Sequence, residues 1–350
     1  MFKQYNTLIA LGDLLNLKEV IMRVLLTGCA GFIGESLSRK LLSLGNQVFG
    51  LDSISSYYSV KTKKNRIKGL QDFKDFAFQQ IDLSEVDLVD VFKFAQPDVV
   101  IHLAAQPGVR LRVNDYEKYT RDNLTSFSNI LSVSAAHGIK AFVYASSSSV
   151  YGSQKTAYFN ERESVPNPTS YYGATKLANE VLAKSLSNMN LIRSRGLRFF
   201  SVYGPQGRPD MAYSRIIGSA VHGIPFNLHG DGSIERDFTY IEDVVEAILS
   251  LTYDLLNRDS SWNDVVNIGG GKPISISRLI SIVEQVSGKE VKLEKGPGYP
   301  SDVFRTCADF TYLNELIGKY QFKDIYYGIK ATVNWAQSKT KFEYAEFLGQ

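Results

Sequence analysis

The chain has 350 residues, enough for about two domains. Its 39 Lys and Arg stand against 36 Asp and Glu, and a net charge of +3 is too weak a field to drive nucleic-acid binding. With 44% apolar residues and two cysteines, disorder and a disulfide framework are both excluded, and a reducing compartment, the cytoplasm, is expected.

Residues 1–21 carry Leu8, Ile9, Leu11, Leu14, Leu15 and Leu17, interrupted by Asp13, Lys18 and Glu19. They read as an N-terminal extension ahead of Met22 and not as a signal peptide. No run of about 18 apolar residues occurs, so no membrane partner is expected. From Arg23 onward, apolar runs at 24–26, 48–51, 76–81, 99–103 and 141–145 predict strands buried on both faces. Phe32, Ile33, Leu37, Leu41 and Leu44 follow the first run at helical spacing. Strand and helix alternate, which predicts an α/β fold with a doubly wound parallel sheet. The basic run 61–68 reads as a solvated helix face. Beyond Gly204, glycine-rich turns multiply and predict a smaller C-terminal α/β domain at the carboxyl ends of the strands. The expected division is 22–203 for nucleotide binding, with segments near 236–251 and 265–285 returning to it, and 204–350 mainly for substrate binding.

Thr27-Gly28-Cys29-Ala30-Gly31-Phe32-Ile33-Gly34 is a GxxGxxG between a predicted strand and a predicted helix. Gly28 permits the tight turn, Gly31 admits a pyrophosphate, and Gly34 lets helix pack on strand. The helix start at Phe32 and Ile33 offers free N–H groups to phosphate. Asp52, closing the second strand, is suited to the ribose hydroxyls of NAD and would repel the 2′-phosphate of NADP. Cys29 reads as a small filler. Histidines 102, 137, 222 and 229 have no metal-ligand spacing, so no metal is expected.

Tyr172-Gly173-Ala174-Thr175-Lys176 is Tyr-x-x-x-Lys, and on a helix positions i and i+4 share a face. The Lys176 ammonium is therefore expected beside the Tyr172 phenol, lowering a group that titrates near pH ~10 when unperturbed. Ser147, in the run Ser146-Ser147-Ser148-Ser149 after the fifth strand, is placed to orient a substrate oxygen.

These motifs, together with Asp82-Leu83, Ile101-His102-Leu103-Ala104-Ala105, Asn123 and Arg236-Asp237-Phe238-Thr239-Tyr240-Ile241-Glu242-Asp243, make residues 22–340 resemble the extended short-chain dehydrogenase/reductases. Within that family the likeness is to the nucleotide-sugar epimerases and dehydratases. It implies a Rossmann-like fold and bound NAD, with Asp82 and Leu83 near the adenine and Leu103, Ala104 and Ala105 lining the cofactor. It further implies Tyr172 as acid/base, Lys176 on the nicotinamide ribose and Ser147 on the reacting hydroxyl.

In the related 4,6-dehydratases an Asp-Glu pair stands where this chain has Ser148 and Ser149, and in the uronate decarboxylases a Glu resembles the position of Ser149. Without those acids, hydride and proton transfer at one carbon remain, which is 4-epimerisation. The segment from Leu197 to Met211, and Gln106-Pro107-Gly108-Val109-Arg110, resemble the UDP-glucuronate 4-epimerases. That subfamily implies a sugar carboxylate held by Arg208 and Ser201, a pairing suited to guanidinium. Ser148 and Ser149 are placed to help hold it, against loss of CO₂ from the 4-keto sugar. The resemblance also puts Arg236 on the diphosphate and Asp302 on the uridine ribose, with His229 where an aromatic residue usually stacks. A homodimer through residues 113–137 and 171–187 is implied as well. The alternatives are a 4-epimerase of another UDP-hexose, such as an N-acetylhexosamine, and a non-catalytic NAD-binding regulator.

Overall fold

The computed structural model describes residues 21–109, 113–154, 156–297 and 303–349. The segment 1–20, Arg110 and Asp302 lie outside them. Seven parallel strands form the main sheet: β1 Arg23–Thr27, β2 Gln47–Asp52, β3 Phe76–Gln80, β4 Val99–His102, β5 Ala141–Ser147, β6 Ser194–Phe199 and, after three strands elsewhere, β10 Asn263–Ile268. Their order is β10-β6-β5-β4-β1-β2-β3. The chain reverses direction across the sheet between β1 and β4, so the loops after these two strands diverge and leave a crevice at their carboxyl ends.

The apolar runs of the inner strands fill both faces, because alternate side chains of a strand point to opposite sides; β3, at the edge of the sheet, is instead exposed at Ala77, Gln79 and Gln80. Val24, Leu26, Val99, Ile101 and Val143 join the core that also holds Leu37 and Leu41 of the helix Phe32–Ser43. Leu25, Val100 and Phe142 join the opposite core with Phe127 and Ile130 of the helix Ser126–Ala136. Full burial of each such side chain stabilises by about 1.5–3 kcal/mol.

The other strands build two small sheets. β7 Ser201–Tyr203 pairs with β9 Glu235–Tyr240, which pairs with β11 Pro273–Ser275, and β8 Phe226–His229 pairs with β12 Leu293–Gly296. β9 thus lies outside the main sheet; of the segment 236–251 it is the following helix, Ile241–Leu256, that packs against the helix Phe32–Ser43. The basic run is not a solvated face throughout. In the helix Val60–Leu70, Lys63 and Arg66 are buried with Ile67 and Leu70, because their spacing places all four on the inward side.

Candidate active site

A cleft of about 700 Å³ runs along the carboxyl ends of β1, β2, β4, β5 and β6. At one end lies the glycine-rich turn. Gly28 has φ +74°, and a Cβ there would fall 2.7 Å from the Ala104 backbone nitrogen. A Cβ on Gly34 would fall 2.1 Å from the Gly28 carbonyl oxygen, so the helix can approach the turn this closely only without one. No side chain caps the N-terminus of the helix Phe32–Ser43, which leaves its first-turn amides available to an anion. Asp52 accepts the Ala30 amide at 3.0 Å and the Ile54 amide at 2.8 Å, which fixes its carboxylate at the cleft wall with lone pairs to spare. An uncapped helix start, a backbone cradle and a fixed acid fit the pyrophosphate and ribose of a dinucleotide.

Asp82, Leu83, Leu103, Ala104 and Ala105 line the same cleft. Asp82 holds its own turn, accepting the Ser84 amide at 3.0 Å and the Ser84 hydroxyl at 2.7 Å. His102 lies beneath, its Nδ1 2.8 Å from the Thr27 hydroxyl, while that hydroxyl accepts the Ala104 amide at 3.2 Å. Burial, with the nearby Lys176 charge, pushes His102 down to about 3, so it is neutral and structural. Asn123 binds both the amide and the carbonyl of Gln106, at 2.7 and 3.2 Å, and so shapes the loop after β4.

Further along the cleft are Ser147, Ser148 and Ser149, then Tyr172 and Lys176 on the helix Tyr171–Asn188. The Ser147 hydroxyl donates to the Ser149 hydroxyl at 3.1 Å and accepts the Ser149 amide at 3.1 Å. The Ser146 hydroxyl donates to Glu180, which is paired with the buried Arg198.

The expected ammonium–phenol juxtaposition is looser than helical spacing suggests. Lys176 Nζ donates to the Ala145 carbonyl at 2.9 Å and lies 5.9 Å from the centre of the Tyr172 ring. Burial raises the Tyr172 phenol above its ordinary range, and Arg208, followed by Ser147, pulls it back. Burial lowers Lys176 to about 8.

Arg208 faces the cleft, but its fork is already filled. Its Nε and Nη2 donate to Asp210 at 3.1 and 2.5 Å, and the Tyr57 hydroxyl donates to the same carboxylate at 3.1 Å. Ser201 and Arg236 also line the cleft. Arg236 donates to the Glu235 carbonyl at 2.9 Å. His229 is not among the residues lining the cleft; its Nδ1 stands 3.2 Å from the Pro297 carbonyl. Asp237 and Asp243, from the same motif as Arg236, are structural. Asp237 accepts the amides of Gly270, Gly271 and Ala308, and Asp243 accepts the Lys323 amide and the Tyr320 hydroxyl.

Sequence reasoning gave no site role to Tyr57 or Asp210 and took Lys63 and Arg66 for part of a solvated helix face. Lys63 donates to the Ser55 carbonyl and hydroxyl, each at 2.8 Å, bracing the loop after β2. Arg66 donates to the Ala30 carbonyl at 3.0 Å and to the Gln206 carbonyl, joining the glycine-rich turn to the loop that carries Arg208. The inward spacing of Lys63, Arg66, Ile67 and Leu70 was the available signal.

Residues 24–269 match the model of the NAD dependent epimerase/dehydratase family. The chain belongs to this family. It is 37% identical over 331 residues to Protein CapI of Staphylococcus aureus, covering 90% of this chain and 98% of that one. It is 36% identical over 315 residues to the UDP-glucuronate 4-epimerase of Thermodesulfobacterium geofontis, covering 89% and 95%. The crystal structure of the UDP-glucuronic acid 4-epimerase from Bacillus cereus, in complex with UDP-glucuronic acid and NAD, superposes with a TM-score of 0.84 at 32% identity, covering 90% and 99%. NAD is thus the cofactor expected in the cradle of this epimerase/dehydratase. Among the described residues no acidic, Cys or His group could hold a metal ion, and no helix is long and apolar enough to cross a membrane.

Proposed function

We propose that this epimerase/dehydratase interconverts UDP-glucuronate and UDP-galacturonate by inverting carbon 4. The observation that carries the reading is that Arg208 and Tyr172 line one cleft, where the guanidinium charge favours the phenolate. On a hexuronate the 4-hydroxyl and the carboxylate sit on neighbouring ring carbons. A sugar that offers its 4-hydroxyl to Tyr172 therefore brings its carboxylate toward Arg208, where charge-assisted hydrogen bonds favour it over a neutral hydroxymethyl group. Two relatives above carry the same activity in their names.

NAD, when bound, supplies a hydride acceptor and donor. The uncapped helix start, Asp52, Asp82, Leu83 and the segment from Leu103 to Ala105 would hold it, and Lys176 would reach its nicotinamide ribose. Tyr172 takes the proton from the sugar 4-hydroxyl as that carbon is oxidised, and returns it once the 4-keto sugar has turned over. Ser147, on the wall of the same cleft as Tyr172, positions the same oxygen. Ser148 and Ser149 offer hydroxyls near the carboxylate in place of the acids that elimination would need, and Ser201 adds a third hydroxyl to hold it. Arg236 and Asp302 are assigned to the nucleotide end.

A homodimer packed through residues 113–137 and the helix Tyr171–Asn188 belongs to the same proposal. Its Val181 and Leu182, with Met189 just beyond, are exposed apolar side chains.

Proton NMR of purified protein with UDP-glucuronate, UDP-glucose or UDP-N-acetylglucosamine tests the reading. UDP-galacturonate formation that is lost in Tyr172→Phe is expected. Turnover of neutral sugars alone, or unchanged epimerisation in Arg208→Ala, would overturn it. Light scattering in solution checks the dimer.

A further inference from the structure

The loop after β2 crosses the cleft to the segment that carries Arg208. Tyr57 donates to Asp210, whose two oxygens take Nε and Nη2 of Arg208. A Cβ on Gly108 would fall 2.7 Å from the Tyr57 hydroxyl, so the phenol is packed against the loop after β4 as well. Arg66 holds the Gln206 carbonyl two residues before Arg208, and Gln206 itself has φ +58°. The arginine is thus fixed at its edge and at its root.

We propose that Asp210, pinned by Tyr57, is a specificity-determining positioning residue: it fills the Nε–Nη2 edge of Arg208 and leaves only the Nη1 end to meet a hexuronate carboxylate. The inference rests on the uronate reading of the site. A guanidinium presents an edge fork and an end fork in one plane, and a carboxylate bound in a fork tends to lie in that plane. With the edge filled, the plane is set before substrate arrives, and so is the position of the carboxylate carbon, C6.

That position has a chemical consequence. Once carbon 4 is a ketone, the sugar is a β-keto acid. Loss of CO₂ breaks the C5–C6 bond, its electron pair becomes an enolate conjugated through carbon 4, and a proton then adds at carbon 5; no oxidant or reductant is needed. The bond breaks most readily when it stands perpendicular to the carbonyl plane. A fixed Arg208 holds C6 away from that alignment. The charge of Asp210 meanwhile offsets that of Arg208, so its removal is not expected to weaken attraction for the acid.

The test compares wild type, Asp210→Asn and Tyr57→Phe. Proton NMR measures the share of product that is UDP-pentose, and calorimetry measures UDP-glucuronate and UDP binding. In Asp210→Asn the pentose share is expected to rise about tenfold, within the roughly hundredfold that an ångström of misplacement costs. Tyr57→Phe moves it the same way by less, and UDP-glucuronate binds no more weakly to either. Wild-type pentose shares in variants that still epimerise would overturn the proposal. So would loss of UDP-glucuronate binding with UDP binding kept, since Asp210 would then build the site and not aim it. If Asp210→Asn does not fold, Tyr57→Phe decides. A wild type that leaves UDP-glucuronate unchanged would instead overturn the uronate reading itself.

Discussion

Lys176 stands one helical turn from Tyr172, yet its ammonium is bound to the Ala145 carbonyl at 2.9 Å and lies 5.9 Å from the centre of the tyrosine ring. The lysine is anchored to the sheet, and the positive charge that most lowers the phenol is that of Arg208. The Tyr-x-x-x-Lys helix therefore presents two separately supported groups and not an isolated ion–phenol pair.

Activity should follow the charge of Lys176. Burial lowers it to about 8, so the ammonium is present below that pH and lost above it. kcat/KM for UDP-glucuronate is expected to fall as pH rises through about 8. Lys176→Met should be less active throughout and lack that limb, which a pH–rate profile from 6 to 10 would show (an experimental range on the order of four units).

Retention of NAD should depend on Asp52. Its carboxylate is held by two backbone amides and faces the cleft. Asp52→Ala removes the ribose acceptor and leaves the Ala30 and Ile54 amides without their partner. A loss of about 1–3 kcal/mol in NAD affinity is expected, read as cofactor released from purified protein and from calorimetric titration.

Gly34→Ala should destabilise the nucleotide-binding end. The added methyl would meet the Gly28 carbonyl at 2.1 Å, and backbone on both sides cannot swing aside as a flexible side chain would. Overpacking of this kind costs about 1–3 kcal/mol or more, and a lower Tm with weaker NAD binding is expected. An unchanged Tm would contradict the packing described at the turn.

Glu161 predicts a pH-dependent gain. Its Oε1 accepts the Asn267 amide at 2.6 Å, while Oε2 is buried and has no hydrogen-bond partner among the described residues. Burial pushes its carboxyl up to about 7. Between the ordinary value of 4.5 and about 7 the native state holds a proton that the unfolded chain releases, so this group costs stability progressively as pH rises across that window. Glu161→Gln keeps the acceptor and removes the charge. It should stabilise by about 1–2 kcal/mol above pH 7 and by little near pH 4.5. His102 works in the opposite sense: buried neutral at about 3, it lets stability fall as pH drops below 6.5. Melting curves of Glu161→Gln and wild type across pH 5–8 (a range of roughly three units) separate the two, because the His102 slope is common to both.

The sequence by itself determined the sheet and the two motifs on it. Strands covered on both faces must be apolar along their length, so 24–26, 48–51, 99–103 and 141–145 announced themselves, and a glycine turn between strand and helix has few other uses. The residues that wall the cleft, from Gly28 and Asp52 to Tyr172 and Lys176, lie at strand ends or one helical turn apart, where local periodicity fixes direction. Tertiary structure alone decided the contacts between distant segments. Tyr57 and Asp210 are 153 residues apart, and Arg66 and Gln206 are 140 apart. Neither pair has a periodic signature, because their meeting depends on where two loops emerge from the sheet. The same holds for which charge reaches Tyr172: spacing singled out Lys176, but burial and the Ala145 carbonyl drew that ammonium back to the sheet, and the fold brought Arg208 to the phenol, already held by Asp210.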